Sequence, residues 1–511
     1  MYVSCRHGLA APGVARILPC WPRSRAVRHK ITTSGSRASS GGGRGCSTAY
    51  VGVIRGRTMI NGDAILALQR IKTVMLAALA ATLPALVAAQ SQGWALSAPA
   101  AAPQPVLPAA EAPRQFDIAA QDRLRDALAG DGITLQAVTL GVESARIAVG
   151  VPVNMPVAQA VGRSARAATR VLPRDIGQII VVPAINGLAL AAVTLRRADL
   201  ESLEFALDGA WRSFARSRLA EAEAQPAPKA RPRFSFGVAP YLRSSLYDLD
   251  QPLAAHIGLE LSGRAELVPG VILSGAVRQK LAGSLGEETL PQVSGLDRVR
   301  SDTYLYDQAA ETTLQELTAA WYFQPSAAVY GRVSLGYIEQ QYAGVSAELL
   351  WRPLSGPLSF GVDVNRVQAR SFDQDFDLRD YQVTSGHVSA YFTRGNGLTW
   401  QLDMGRYLAG DWGATVSLDK ELRNGWRIGA FATMTDASEA DFGEGAYDKG
   451  IRVTIPLGAV VGTPLRRSQT ATIRENLGDG GARLDVPDRL YQVLRPGSRP
   501  AVQDGWSQFW K

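Results

Sequence analysis

The sequence has little cysteine and no long apolar run. Its three cysteines, Cys5, Cys20 and Cys46, all lie in the first tenth of the 511 residues. Beyond Cys46 this excludes disulfides, cysteine-ligated zinc and a cysteine nucleophile. The most apolar segment, Thr73–Val87, has about 15 residues, fewer than the roughly 20 that a membrane-spanning helix needs. A helical membrane protein is therefore not expected.

Most of the chain also lacks an excess of one charge. The net charge of +8 and the pI of about 9.4 suggest an acidic partner such as nucleic acid. Residues 1–89 nevertheless hold 12 Lys and Arg against a single acidic residue, whereas 42 basic and 45 acidic residues follow Ala89. Because the basic character belongs to the N-terminal segment, we expect no nucleic-acid partner.

The N-terminal segment has the composition of a leader. Residues 1–58 are rich in Gly, Ser and Arg without a period, which indicates a disordered or mis-started leader. Met59 is a plausible start, because basic residues, the apolar Thr73–Val87 and the small residues 88–90 follow it, as in a secretory signal peptide. We predict a signal peptide over 59–89 that is cleaved near Gln90. The alternative is a retained N-terminal anchor.

The next part of the chain predicts a linker and a small α/β module. Residues 90–115 are rich in Pro and Ala, which is typical of a flexible linker. Residues 116–222 alternate helical and strand patterns, with a hairpin turn at Asn186-Gly187 and a last helix from Asp199 to Ala222. No catalytic constellation is evident in this module.

Residues 233–495 consist of long segments in which apolar residues occupy alternate positions. Such alternation has two physical solutions, a soluble sandwich or lipocalin-like barrel and a transmembrane barrel with its apolar face toward lipid. The segments are about twice as long as sandwich strands and match the ~9–11 residues that cross a membrane at a tilt. We therefore predict a mainly β fold with a transmembrane antiparallel β-barrel of 12–14 strands, an even number. A further strand pair is expected within Arg467–Arg495, and a C-terminal tail over 496–511.

Several segments of this region resemble one family. They are "GRYLAGDWGATVSLDKELRNGWRIGAFATMTDASEADFGEGAYDKGIRVTI" (405–455), "LDRVRSDTYLY" (296–306), "YGRVSLGYIEQQYAGVSAELLWRP" (330–353) and "FDQDFDLRDYQVTSGHVSAY" (372–391). Over about 230–495 the chain resembles the YjbH/GfcD family of bacterial outer-membrane exopolysaccharide proteins, and 116–222 looks like the module that precedes the barrel in that family.

The resemblance implies a role in the biosynthesis or export of an extracellular polysaccharide or capsule. It implies a barrel in the outer membrane of a Gram-negative cell and a module in the periplasm. The expected partners are outer-membrane lipid, the polysaccharide, and periplasmic and outer-membrane export lipoproteins. It implies no cofactor, no metal and no enzymatic activity. The alternatives are a general diffusion porin and a barrel-embedded hydrolase.

Four polar residues near predicted strand ends are candidates for contact with the lumen or with glycan: Arg406, Asp411, Glu444 and Asp448. Close to a strand end, Arg406 can extend its side chain to the membrane interface or form an ion pair with Asp411. The hydrolase alternative depends on His387, which has serines nearby but no Gly-x-Ser-x-Gly motif. We therefore predict no catalytic residue.

Overall fold

The computed structural model of the chain describes residues 117–152, 155–222, 232–246, 253–283, 295–395, 397–422, 425–438, 447–456, 468–474 and 479–511. The predicted leader, signal peptide and linker lie outside these residues, as does Glu444. None of the helices in the described ranges combines the length and the apolar composition that are needed to cross a membrane.

The first part of the described chain, called the α/β unit here, is a six-stranded mixed sheet with helices. Its elements are α1 Ile118–Ala129, β1 Thr134–Leu140, β2 Ser144–Gly150, α2 Val157–Val171, β3 Gln178–Ile185, β4 Leu188–Ala189, β5 Ala191–Arg196, α3 Arg197–Leu203, α4 Gly209–Arg216 and β6 Arg218–Glu221. The strand order is β1-β2-β3-β5-β6, with β4 paired to β3. Strands β2 and β3 are parallel and the other pairs are antiparallel.

Two local features of the α/β unit can be compared with the sequence. Asn186 and Gly187 both have positive φ angles, 53° and 76°, which is the type I′ geometry that the Asn-Gly pair predicts. The single helix predicted from Asp199 to Ala222 is wrong. The chain forms α3 and α4 and then β6, because Gly209 packs directly against the Leu203 carbonyl and β6 gains backbone hydrogen bonds to β5.

The second part is a thirteen-stranded antiparallel sheet in which each strand pairs with its neighbours in sequence. Its elements are β7 Arg233–Leu246, β8 Leu253–Val268, β9 Val271–Gly283, α5 Thr303–Ala309, β10 Thr312–Ser326, β11 Val329–Tyr337, β12 Tyr342–Trp351, β13 Leu358–Arg370, β14 Leu378–Arg394, β15 Leu398–Arg406, β16 Trp412–Glu421, β17 Arg427–Thr435, β18 Asp448–Pro456 and β19 Ser468–Arg474.

Within the described residues the large sheet has thirteen strands, which lies within the predicted range of 12–14 but is not even. The strand pair predicted within Arg467–Arg495 is a single strand, β19, and residues 479–495 run as turns and a short helix. Within the described residues the first strand, β7, and the last strand, β19, are not paired with each other. The structure thus describes a large antiparallel sheet, and its closure into a barrel stays a prediction.

The two faces of the large sheet are opposite in character to those of a soluble sheet. Large apolar side chains stand on the outward face, where Val388 is 61% exposed and Ile428 47%. The inward face carries polar side chains that are buried, such as Thr433 at 2% and Asn365 at 0%. Exposed apolar area and buried polar groups are the informative departures from ordinary burial. The pattern of burial along these strands is thus the inverse of that in a soluble sheet.

Residues 479–511, called the C-terminal segment here, cover part of the inward face. The segment contains α6 Leu490–Leu494 and α7 Arg499–Asp504, and it ends against the α/β unit. There the Trp506 ring stacks on Phe509, which is fully buried, and the Trp506 indole N–H donates to the Ser213 hydroxyl at 3.0 Å. The C-terminal tail predicted over 496–511 thus packs against the α/β unit, where its aromatic residues join the hydrophobic core.

The α/β unit also contacts one end of the large sheet directly. A Cβ atom added to Gly187 would lie 2.4 Å from the backbone nitrogen of Gly270, in the turn between β8 and β9. The Gln324 side-chain amide accepts from the Ala189 N–H and donates to the Ala222 carbonyl, at 3.0 and 2.7 Å. Two backbone turns are thus packed at a distance that only glycine allows.

We expect Gly187→Ala to be more damaging than Gly132→Ala. Both glycines have positive φ angles, 76° and 72°, but a Cβ at Gly132 would meet nothing within 4 Å. Gly132→Ala should cost about 1 kcal/mol of backbone strain. Gly187→Ala adds a clash with a backbone turn, which should cost about 1–3 kcal/mol more. Urea unfolding of the purified variants measures both, and equal losses would contradict the close approach of the two turns.

Candidate functional site

The centre of the inward face is a group of buried charges that we call the inner cluster: Asp363, His387, Asp403, Arg483 and Arg489. Strands β13, β14 and β15 place the first three side chains on the inward face, and the C-terminal segment brings the two arginines over them. The Arg483 guanidinium lies 2.5 Å from Asp363 and 2.8 Å from Asp403, and Arg489 lies 3.3 Å from Asp363. Both carboxylates are almost fully buried.

The charge of Arg483 is maintained by these neighbours. Burial lowers the pKa of Arg483, but the Asp403 and Asp363 carboxylates raise it by more, and the net pKa is above the ordinary value. The guanidinium therefore stays protonated at any physiological pH. A buried carboxylate without a partner costs several kcal/mol, so this arginine is what allows two acids on the inward face.

A second buried pair lies next to the inner cluster. The Arg332 guanidinium is 3.1 Å from the Glu348 carboxylate, and both are buried on the inward face. Arg332 also donates to the carbonyl of Pro487 at 3.0 Å, and Glu348 accepts from the N–H of Leu490 at 3.2 Å. Arg332 and Glu348 thus neutralise each other's charge and also hydrogen-bond to the backbone of the C-terminal segment.

His387 lies inside the inner cluster, between Asp363 and the ring of Tyr407. Its Nδ1 lies 3.5 Å from the Asp363 carboxylate, its ring packs edge-on against Tyr407, and the residue is buried. Of the neighbouring serines, Ser389 donates to Asp403, and Ser385 accepts from Asn365. In the described part of the chain neither imidazole nitrogen has a hydrogen-bond partner. Among the described residues, neither of these two serines is hydrogen-bonded to the imidazole.

Three of the four candidate residues predicted from the sequence, Arg406, Asp411 and Asp448, lie at the end of the sheet opposite the α/β unit. Of the two structural roles expected for Arg406, the ion pair with Asp411 is not formed in the described residues: Arg406 donates to the Gly410 carbonyl at 3.1 Å and to the Thr384 carbonyl at 3.3 Å. Asp411 turns inward, where it is buried and accepts from the N–H of Gly481 at 2.7 Å. Backbone acceptors satisfy the arginine, which leaves the carboxylate to hold the C-terminal segment.

Of the other two candidate residues, the structure describes Asp448 but not Glu444. Asp448 begins β18, opposite Thr433 of β17, and is buried on the inward face. Glu444 lies outside the described residues. A direct glycan contact at Arg406, Asp411, Glu444 or Asp448 stays a prediction.

A further acidic residue fixes the start of the C-terminal segment. One oxygen of the Asp479 carboxylate accepts from three consecutive backbone N–H groups, those of Val299, Arg300 and Ser301, at 2.7–2.9 Å. Arg300 in turn donates to the Arg483 carbonyl at 2.8 Å. The segment is therefore held at both ends of the sheet as well as at its centre.

Sequence reasoning missed the inner cluster. Asp363 and Asp403 interrupt strands that are otherwise regular, and each occupies the inward position of the alternation. That placement identifies them as inward-facing acids that need a partner. Arg483 lies about 120 residues from Asp363, in a segment without periodicity, and no local pattern connects the two.

Comparison with known proteins adds the following. A family model described as "Exopolysaccharide biosynthesis protein YbjH" matches residues 57–496. A curated relative, the "Uncharacterized lipoprotein YjbH" of Escherichia coli K12, is 30% identical over 269 residues, which cover 51% of this chain and 38% of the relative. The chain thus spans less than half of that relative's length.

Among solved structures, a loop-deletion mutant of OmpT, an outer membrane protein of Vibrio cholerae, matches with 10% identity. The match covers 44% of this chain and 87% of the OmpT chain, with a TM-score of 0.23. A likeness at this TM-score is too low to indicate a shared fold.

Removing the charge of Arg483 should be strongly destabilising. Arg483→Met leaves Asp403 buried without a cation and Asp363 with only Arg489, and breaking such a buried pair costs about 3–5 kcal/mol. Arg495→Met is the matched control, because Arg495 pairs with the half-exposed Glu421 at 3.0 Å, and exposed pairs contribute about 1 kcal/mol or less. Urea midpoints of the two variants measure the difference. Equal losses would show that the inner cluster does not hold the C-terminal segment.

Proposed function

Because the chain belongs to the YjbH family of exopolysaccharide biosynthesis proteins, we propose that it is an outer-membrane β-barrel component of the production or export of an extracellular polysaccharide. The family supplies the polysaccharide. The large sheet is the evidence for a location in the membrane. The inner cluster is the evidence that distinguishes a polysaccharide component from a general diffusion porin. The partners proposed are the polymer, outer-membrane lipid and export lipoproteins.

The observation that carries the membrane part of the proposal is the inverted sheet. Outward residues along β12 and β13, such as Val345, Leu349 and Val364, are about half exposed, while Ser346 and Asn365 between them are fully buried. In water such a continuous apolar surface favours association, and soluble monomers rarely expose one. In a bilayer the same surface is favourable, and the alternation is that of transmembrane barrel strands.

The outward face changes character along one strand. Val388 in the middle of β14 is apolar and exposed, whereas Thr384 and Gln382, nearer the strand's beginning, are polar and exposed. Arg366 of β13 donates to both of these side chains, at 3.0 and 2.9 Å. A band of apolar residues that gives way to hydrogen-bonding groups fits a strand leaving a bilayer core for its polar interface.

The ends of the sheet support an orientation. At the end that contacts the α/β unit, the β8–β9 and β10–β11 turns contain residues 269–270 and 327–328 only, whereas residues 284–311 connect β9 to β10 at the other end. Outer-membrane barrels have short turns on the periplasmic side and longer loops outside. The α/β unit then belongs to the periplasm, where it offers a folded surface to export lipoproteins.

The inner cluster favours a polysaccharide component over a general diffusion porin. A porin needs a polar lumen that water fills. Here Arg483 and Arg489 of the protein's own C-terminal segment neutralise the carboxylates of the inward face. The hydrolase alternative has no supporting geometry at His387, since neither nearby serine donates to the imidazole.

The membrane assignment is tested by two arginine substitutions on the outward face of β14. Val388→Arg near a bilayer midplane should cost about 2–4 kcal/mol, whereas Thr384→Arg near an interface should cost about 0–1 kcal/mol. Folding free energies in lipid vesicles measure both. If the sheet faced water, neither substitution would matter and the two costs would be equal.

The polysaccharide role is tested by complementation. A strain that lacks the gene should lose extracellular polymer and regain it with the wild-type chain. His387→Gln should restore polymer equally well, provided that its heat-shifted gel mobility shows a folded protein. A hydrolase would behave differently, because losing a general base usually costs ~100-fold or more in rate. Normal polymer in the deletion strain would contradict the proposed function.

A further inference from the structure

A cavity of about 60 Å³ lies where the large sheet, the C-terminal segment and the α/β unit meet. The polar residues that line it include Glu221, Tyr330, Arg352, Ser359, Thr393 and Arg499. A site needs roughly 10–15 Å³ to hold one water, so this volume accommodates several waters or one small polar group. The inner cluster is a separate site, further along the sheet.

Arg352 is an unusual residue to find at such a place. It follows β12 in the turn to β13, and its guanidinium lies over the Tyr491 ring at 5.3 Å from the ring centre. Within the described ranges it has no ion pair and no side-chain hydrogen bond. Burial lowers the pKa of Arg352, with only Tyr491 and Tyr330 to offset it. A guanidinium has five donors that normally find acceptors, so these donors are available to a ligand.

The balance of charge around the cavity is positive. Arg499 is exposed and likewise forms no ion pair in the described part of the chain, so the cavity has two arginines against one acid, Glu221. The Glu221 carboxylate accepts from the N–H of Leu354 at 3.2 Å and is therefore held toward the backbone of the turn. The two cations favour an oxyanion, which arginine binds with charge-assisted and often bidentate hydrogen bonds.

Hydroxyl groups complete the lining. The Thr393 hydroxyl shares a hydrogen bond with the Tyr491 hydroxyl, Tyr330 donates to the Ala327 carbonyl, and Ser359 is buried in the wall. Neutral donors and acceptors beside a cation match a ligand that carries hydroxyls beside an anionic group. Acidic sugars have this combination.

We propose that this cavity binds the oxyanion of an acidic sugar, a carboxylate or a phosphate, with Arg352 and Arg499 as its cationic contacts. The inference rests on the proposed function, because the polymer supplies the sugar. It places a recognition site for that sugar at the end of the sheet where the α/β unit is attached. Ligand at this junction would contact all three parts of the protein that line the cavity.

The experiment is calorimetric titration of the full-length protein in detergent micelles. The probes are trigalacturonate for a carboxylate, glucose 6-phosphate for a phosphate, and neutral maltotriose as the control. We expect at least one acidic probe to bind and maltotriose not to bind. Arg352→Gln should weaken that binding about tenfold or more, since it removes a charge-assisted hydrogen bond.

Two further variants serve as controls for the effect of Arg352→Gln. Arg499→Gln alters an exposed residue, so it keeps the fold even if Arg352→Gln does not, and it should also weaken binding. Arg174→Gln removes the same charge from an exposed turn of the α/β unit outside the cavity and should bind as the wild type does. Wild-type binding in both Arg352→Gln and Arg499→Gln would overturn the proposal.

Three other results would also overturn it: no binding of either acidic probe, equal binding of maltotriose, or inorganic phosphate binding as tightly as glucose 6-phosphate, which would indicate a simple anion site. The assay needs no secretion. A chain that restores polymer in cells but binds no acidic sugar contradicts this inference alone. A chain that binds acidic sugar but whose deletion leaves polymer normal contradicts the proposed function alone.

Discussion

The inward face of the large sheet depends on one arginine. Asp363 on β13 and Asp403 on β15 lie on the inward face on either side of β14, and neither is exposed enough for water to solvate it. Two buried carboxylates without a cation would cost several kcal/mol each, and that sum is comparable to the whole free energy of unfolding of an ordinary domain. Arg483 contacts both of them. The path of the C-terminal segment follows from this requirement.

Once Arg483 is fixed over the sheet, the rest of the C-terminal segment runs along the inward face to the α/β unit. Tyr491 stacks on Tyr391 of β14 at 4.0 Å between ring centres, and Phe509 reaches the α/β unit, where its carbonyl accepts from Arg166 at 2.7 Å. The α/β unit is thus joined to the large sheet by a covalent segment and by the packed turns at Gly187 and Gly270.

Local sequence patterns were sufficient for the strands and insufficient for what covers them. Alternation over β17 distinguishes outward Ile428 from inward Thr433, because the side-chain period of a strand is two and requires no knowledge of the partner strand. The turn at Asn186-Gly187 is equally local. The C-terminal segment has no period, and its position is set by charges more than a hundred residues away. The same holds for the aromatic residues after Ser498, which have the composition of a tail until the α/β unit is present to bury them.

The arrangement places a condition on any passage through the large sheet. If the sheet closes around a lumen, a polymer cannot use the space that residues 479–494 occupy while Arg483 pairs with Asp363 and Asp403. Breaking such pairs costs about 3–5 kcal/mol, so thermal motion alone would open the lumen in only about one molecule in 150 to about one in 5,000. The C-terminal segment is also the part of the chain that is fixed to the α/β unit through Trp506. A displacement of the α/β unit relative to the large sheet would therefore be transmitted to the inward face through this segment.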